Sequence, residues 1–427
     1  MRITKEQITS SNEKRLKQHQ SRWHVLKEQL EEKGADTNEM IKQLRLFQIA
    51  IPSWALGTGG TRFGRFPIGG APRNLEEKMM DIGLLHSLNS SSGAISLHIP
   101  WDIPDNIPNI KSLAKELDLR FDAVNSNTFQ DQPNQKYSYR YGSLSHTDKN
   151  VRNQAIAHNL EVVKYGVALG TNVLSVWLSD GAIFPGQHNI REALQRTSDS
   201  LQQIYKGMPD DFEMLVEYKP FEPAFYATVI PDWGTSLLLV NKLGDRAKTL
   251  VDLGHHLPNA NIEQVVATLL SEKKLGGFHF NDSKYADDDL TTGSIKPYQL
   301  FLIFHELVEG LRAQNLPMQH LSWMIDASHN IKDPLEDLLQ SVEAIKLSFA
   351  QALLVSENRL HDAQLQNDPA LAQEILQDAF RTDVRPLVAE ARLQEGGVLE
   401  PIGCYREFKV RGELIKERGK NAVATGL

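Results

Sequence analysis

The stretch LGGFHFNDSKYADDDL, residues 275–290, starts as a strand with no polar face and ends as a loop crowded with metal-type ligands. His279, Asp282, Asp287, Asp288 and Asp289 fall within a dozen positions of one another. A continuous apolar run of this length fits a strand buried on both faces, as in a parallel sheet, rather than the alternating pattern of a sheet with one face in water. Chemistry then gathers where the strand leaves the sheet.

Seven further runs share this character. They are FQIAIPSW (47–54), AISLHIPW (94–101), RFDAVNSNTF (120–129), NVLSVWLSD (172–180), EMLVEYKP (213–220), AKTLVDLGH (247–255) and SWMIDASH (322–329), which with LGGFHFNDS (275–283) make eight. The gaps between them are long enough for the helical crossovers that parallel neighbours require. Eight such units predict a (β/α)8 TIM barrel over 46–332. A doubly wound open sheet is the alternative, but the first run is not followed by the G-x-G-x-x-G turn of a dinucleotide-binding version. Before the barrel, Leu16, Trp23, Leu26 and Leu30 recur at helical spacing up to Gly34, so 1–45 reads as an N-terminal helical segment. After it, Asp333-Pro334 and Asp368-Pro369 each supply an N-cap followed by proline. The region 333–427 is therefore expected to be a C-terminal helical extension whose apolar faces cover the barrel or another subunit.

Composition excludes several classes. With 427 residues, 41% of them hydrophobic, the chain can bury a large core. A net charge of −8 argues against nucleic acid as the main partner, because phosphate backbones are held by a basic face. No apolar run reaches the roughly 18 to 20 residues of a membrane span. The single cysteine, Cys404, and the polar start MRITKEQITSSNEKRLK predict a cytoplasmic protein without disulfides.

Reading the strand ends in order gives Trp54, His98 and Trp101, Asn125 and Asn127, Trp177 and Asp180, Glu217 and Lys219, Asp252 and His255, His279 and Asp282, and Asp326. Glu217, Asp252, His279 and Asp326 come from four consecutive strands. Three carboxylates and an imidazole suit a divalent cation such as Mn2+, Co2+ or Mg2+ better than a structural zinc, which favours thiolates. His255, with Asp287 and Asp289 two residues apart in the following loop, forms a second candidate set that shares a carboxylate such as Asp252. A bland reading stands beside each: acidic runs are commonly solvated loop charges, Asp282 and Asp288 read as turn or capping groups, His256 as a packing or supporting residue, and the tryptophans as core aromatics. Lys219 at a buried strand end favours function, since lysine is seldom fully buried.

EYKP, DLGH (252–255), HFNDSKYADDDL and MIDASHN resemble the metal-dependent aldose isomerases of the xylose isomerase-like superfamily. SWALGTGGTRFGRFP, SLHIPWD, FDAVNSNTF, YGSLSHT, DGAIFPGQ, EPAFY, DWGT and VDLGHH resemble, more closely, the Pseudomonas-type L-rhamnose isomerases, and the resemblance extends to RTDVRPLVAEAR near the C-terminus. It implies two divalent cations per subunit, Mn2+ foremost: one on Glu217, Asp252, His279 and Asp326, the other on His255, Asp287, Asp289 and a shared carboxylate. It also implies that Lys219 binds the substrate's terminal oxygen and that His98 lies near the ring oxygen or a terminal hydroxyl. Trp54, Trp101, Phe129 and Trp177 would form apolar walls. Lys219, Asp326 and His98 would be catalytic, and the assembly a homotetramer.

The activity so implied is interconversion of L-rhamnose and L-rhamnulose, and of related aldoses, by a metal-assisted 1,2-hydride shift or through a cis-enediol. GTGGTRFGRFPIGGAPR (57–73), with Phe63 and Phe66, reads as a lid. A ketose 3-epimerase is the rival enzyme, since its barrel uses a similar four-ligand set but does not require His255, Asp287 and Asp289. A sugar-binding barrel without catalysis is the rival from another class.

Overall fold

The computed structural model describes residues 3–58, 66–329 and 331–423. Eight parallel strands close into a barrel: Ala50–Pro52, Ala94–Ile99, Arg120–Ser126, Val173–Val176, Glu213–Glu217, Ala247–Asp252, Leu275–Phe280 and Ser322–Ile325. They follow one another around the ring in chain order, and the first closes on the eighth through Ala50 and Met324. Each of the eight apolar runs contains one of these strands. The strands are buried on both faces for nearly their whole length, since their inward side chains fill the barrel and their outward ones meet the helices. Phe278, Phe280, Phe304, Trp323 and Phe47 stack behind the seventh and eighth strands, with ring centroids 5.3 to 6.0 Å apart.

The N-terminal helix Lys5–Glu32 opens on a capping box between Thr4 and Gln7. It ends at Lys33 with Gly34 beyond it at φ +83°, the backbone position that glycine fills at helix ends. A second helix, Thr37–Leu46, leads into the first strand. Asp333 and Asp368 cap the helices Pro334–Leu353 and Pro369–Arg381 through their side chains, as their Asp-Pro pairs predict. Pro334–Leu353 packs against Pro297–Ala313, the helix after strand seven, and against Leu75–Asn89, the helix after strand one. It thus occupies the eighth place in the outer ring, and a division of the chain at 332 falls between the last strand and its own helix. The helices beyond it fold back over the barrel. Arg418 makes two hydrogen bonds of 2.7 Å to Asp81, buried on the helix after strand one. No single helix among the described residues is long and apolar enough to cross a membrane.

The sequence pattern did not indicate a small antiparallel pair, Gly181–Ala182 with Ala227–Thr228, above the carboxyl ends of the strands. A Cβ at Gly181 would stand 2.2 Å from the carbonyl oxygen of Ala227, so the pair closes only with glycine there.

Candidate active site

Glu217 and Asp252 end the fifth and sixth strands, His279 is the penultimate residue of the seventh, and Asp326 follows the eighth. Glu217 pairs in register with Leu250, and Asp252 with His279. Alternate residues of a strand share a face, so all four side chains turn into the barrel at similar depth. One ligand atom from each lies within 4.8 Å of the others. His279 Nδ1 is 3.3 Å from Glu217 Oε1, 3.6 Å from Asp252 Oδ2 and 3.7 Å from Asp326 Oδ2.

Asp252, His255 and Asp287 form a second group of the same compactness. His255 stands between the two sets, 3.1 Å from Glu217 Oε1 and 3.3 Å from Asp287 Oδ1. Asp252 belongs to both. Asp289 lines the same cavity but lies outside the three-residue group, where Ser328 Oγ (3.1 Å) and Asn281 Nδ2 (3.4 Å) hold its carboxylate.

The electrostatics follow from this crowding. Burial opposes protonation of His279, but Glu217 and the neighbouring carboxylates outweigh it and push the imidazole up to about 10. Burial resists ionisation of Glu217, yet His279 and His255 hold its carboxyl below the usual range. Asp289 and Asp326 are pushed up, by burial and by the charges of neighbouring carboxylates. A divalent cation would relieve both kinds of strain, since it replaces the imidazole proton as counter-charge. The residues present fit such an ion: Asp252 Oδ2, His255 Nδ1, His279 Nδ1 and Asp287 Oδ1 are buried without a hydrogen-bond partner among the described residues. The chain also leaves room among them at Gly254, where an added Cβ would lie 3.0 Å from Asp287 Oδ1 and 3.3 Å from Asp252 Oδ1.

The opposite wall is aromatic. His98 lies against Trp54, Trp101 and Phe129 at centroid distances of 5.2, 4.5 and 5.4 Å, and Phe129 continues to Trp177 at 4.9 Å. Burial among these rings holds the His98 imidazole down to about 3. Lys219 Nζ sits 5.2 Å from the centre of the Trp177 ring. Trp54 Nε1 donates to Asp326 Oδ1 at 2.9 Å, which ties the wall to the ligand cluster. Together they enclose a cavity of about 410 Å3. A larger hollow of about 750 Å3 at the opposite mouth, beside Lys111, Arg120 and His320, lies on the face where barrel conservation reads as stability rather than catalysis.

Every predicted ligand and wall residue lines this cavity except Asp252, which is fully buried. Asp180, Asn127 and Asp282, three further predicted strand-end groups, do not reach it: Asp180 accepts hydrogen bonds from the backbone of Ser143 and Ser145, and Asn127 N donates to His158. His256 bonds the Tyr218 hydroxyl at 2.6 Å. Asp282 and Asp288 accept from nearby backbone N–H groups, as turn residues do. Phe66 is 63% exposed and outside the cavity lining, while Phe63 lies outside the described residues.

Three supporting residues escaped the sequence reading. Asn281 Nδ2 donates to Asp252 Oδ1 at 2.9 Å. Its place two residues after His279, on the same face, was the available signal. Lys78 Nζ and the His98 backbone N–H both donate to fully buried Asp102, at 2.6 and 2.8 Å, which fixes the turn carrying His98 and Trp101. Lys78 lies in an ordinary helical stretch and gave no signal.

A closed parallel barrel with metal-type ligands at the carboxyl ends of consecutive strands defines a class, and the chain belongs to the xylose isomerase-like TIM barrel family, which residues 93–326 match. It is 49% identical over 406 residues to a probable sugar isomerase of Rhizobium meliloti (strain 1021), covering 95% of this chain and 93% of that protein. A probable sugar isomerase of Mesorhizobium japonicum is 46% identical over 419 residues, 97% of this chain and 96% of the other. Among solved structures, an L-ribulose 3-epimerase superposes with a TM-score of 0.53 at 14% identity, covering 75% of this chain and 98% of that one. That likeness is one of fold.

Proposed function

We propose that the protein is a divalent-metal-dependent aldose–ketose isomerase acting on L-rhamnose and L-rhamnulose and on aldoses related to them. One observation carries this reading: two ligand groups, Glu217/Asp252/His279/Asp326 and Asp252/His255/Asp287, meet at Asp252 beside a buried lysine. The names of the two rhizobial relatives support a sugar isomerase, and the L-rhamnose assignment rests on the motif resemblance.

The reaction opens the sugar ring and moves hydrogen between C2 and C1 while O1 and O2 gain negative charge. Mn2+, or Co2+ or Mg2+, bound at the two groups would neutralise that charge. Lys219 would donate to the substrate's terminal oxygen. Asp287 outweighs the effect of burial on Lys219 and keeps it cationic. Asp326, at the edge of the ligand group where Trp54 Nε1 binds its Oδ1, would help carry a proton during ring opening. Neutral His98 would accept a hydrogen bond from the sugar. Trp54, Trp101, Phe129 and Trp177 would take the 6-deoxy end and exclude water, which strengthens each polar contact inside. Asp289 would complete the second ion's shell. In this reading the enzyme is a cytoplasmic homotetramer in which the C-terminal helices contribute subunit contacts.

The test is to strip the protein with a chelator and incubate it with L-rhamnose in D2O, with and without Mn2+, following products by carbon NMR. Metal-dependent L-rhamnulose is the expected result, and little deuterium at C1 or C2 would select the hydride shift over the enediol. No ketose from any aldose, with C3 inversion of a supplied ketose, would assign the four-residue group to a 3-epimerase instead.

A further inference from the structure

The loop that carries Asp287 and Asp289 is built to be rigid. Its base is closed by paired backbone hydrogen bonds of 2.9 Å between Asp282 and Leu290, and Asp289 itself takes a left-handed backbone, φ +48°. Such a conformation disfavours an ordinary side chain and persists only where surrounding contacts enforce it.

Those contacts lead to one residue. Ser328 donates from its backbone N–H to Asp289 O (3.2 Å) and from its hydroxyl to Asp289 Oδ2 (3.1 Å). The next residue, His329, is bonded through Nδ1 to Asp337 Oδ2 at 2.7 Å. Two residues after Asp289, the Thr291 hydroxyl donates to the other oxygen of the same carboxylate, where Lys332 Nζ also binds at 3.1 Å. Asp337 therefore grips, with one oxygen each, the two chain segments that flank Asp289. One turn on, Ser341 Oγ accepts from Thr292 N at 3.1 Å and continues the grip.

The helix that presents Asp337 does not need it for docking, because Leu335, Leu338 and Leu339 bury that helix against the barrel. A buried carboxylate is in general a poor source of stability. Burial resists its ionisation, yet the His329 and Thr291 contacts and Lys332 keep it charged. What this arrangement supplies is position.

We propose that Asp337 is the positioning residue of the second ligand group: through Thr291 and His329 it fixes the loop that presents Asp287 and Asp289, whereas in the first group Glu217, Asp252 and His279 lie on barrel strands and Asp326, next after one, is held by Trp54. The inference rests on the two-ion reading of the site. Residues that orient metal ligands typically change affinity by about 10- to 100-fold when removed.

The experiment titrates chelator-stripped full-length protein with Mn2+ by calorimetry, with electron paramagnetic resonance counting bound ions. The wild type is expected to take up two ions. Asp337→Ala should keep one at unchanged affinity and bind the other about 10- to 100-fold more weakly, and Thr291→Val, close in shape to the native residue, should shift the same site in the same direction. A role in fold stability alone would lower Tm and leave the ratio of the two affinities unchanged. Two unaltered sites in Asp337→Ala, or in Thr291→Val should the first variant not fold, would overturn the assignment to Asp337 while leaving the two-ion reading intact. Fewer than two ions in the wild type would instead remove that reading, and this inference with it.

Discussion

Lys219 Nζ lies 2.6 Å from Asp287 Oδ2, so the carboxylate that faces His255 with one oxygen holds the buried lysine with the other. Cation and second ligand group are linked through a single side chain.

That link separates two effects of one substitution. Lys219→Met keeps the length of the side chain and removes its charge. If, as proposed, the lysine stabilises charge that develops on the substrate, turnover should fall by about 100- to 1,000-fold. Asp287 would then be released to the ion, so Mn2+ affinity at the second group should hold or rise. Steady-state kinetics on L-rhamnose together with Mn2+ titration of the same variant check both halves. Turnover within a few-fold of the wild type would leave Lys219 as a structural partner of Asp287 only.

Removing metal should also be visible in stability. Buried carboxylates facing one another cost the fold free energy that bound cations offset, and a ligand bound only by the folded state at 100 times its Kd adds about 2.7 kcal/mol. Chelator-stripped protein is expected to melt a few degrees below the same protein in Mn2+. Asp252→Asn should lose most of this difference, because Asp252 alone belongs to both groups. Equal melting curves for the wild type with and without Mn2+ would argue against both sites.

The barrel and its ligand rows were legible because each depends on short-range pattern. A strand buried on both faces must be a continuous apolar run, and a residue at its end must point to the rim, so Glu217, Asp252, His279 and Asp326 followed from register alone. The residues that hold them were not legible. Asp337 reaches Thr291 and His329 from a different element, and Lys78 meets Asp102 across 24 positions. Nothing in the local spelling of a helix distinguishes a buried, paired aspartate or lysine from a solvated one. The helix Pro334–Leu353 shows the same limit: its capping and stripe were readable, but only its two neighbours reveal it as the eighth of the ring.

Glu306, on the helix Pro297–Ala313, gives a prediction away from the site. Partial burial and then the charges of Glu309 and Glu263 push its carboxyl up to about 7, from an ordinary value of 4.5. Between these two values the folded protein binds more protons than the unfolded chain, so stability falls as pH rises. The favourable contribution is complete below about pH 4.5 and is lost as pH passes through about 7. Glu306→Gln cannot ionise, so it should be more stable than the wild type at pH 8 and indistinguishable from it near pH 5. The gain should be about 0.5 to 1 kcal/mol, because water still screens a group that is only partly buried. Denaturant unfolding of both proteins at the two pH values measures it. An equal difference at pH 5 and pH 8 would mean that the substitution acts through packing or helix propensity rather than through the charge of Glu306.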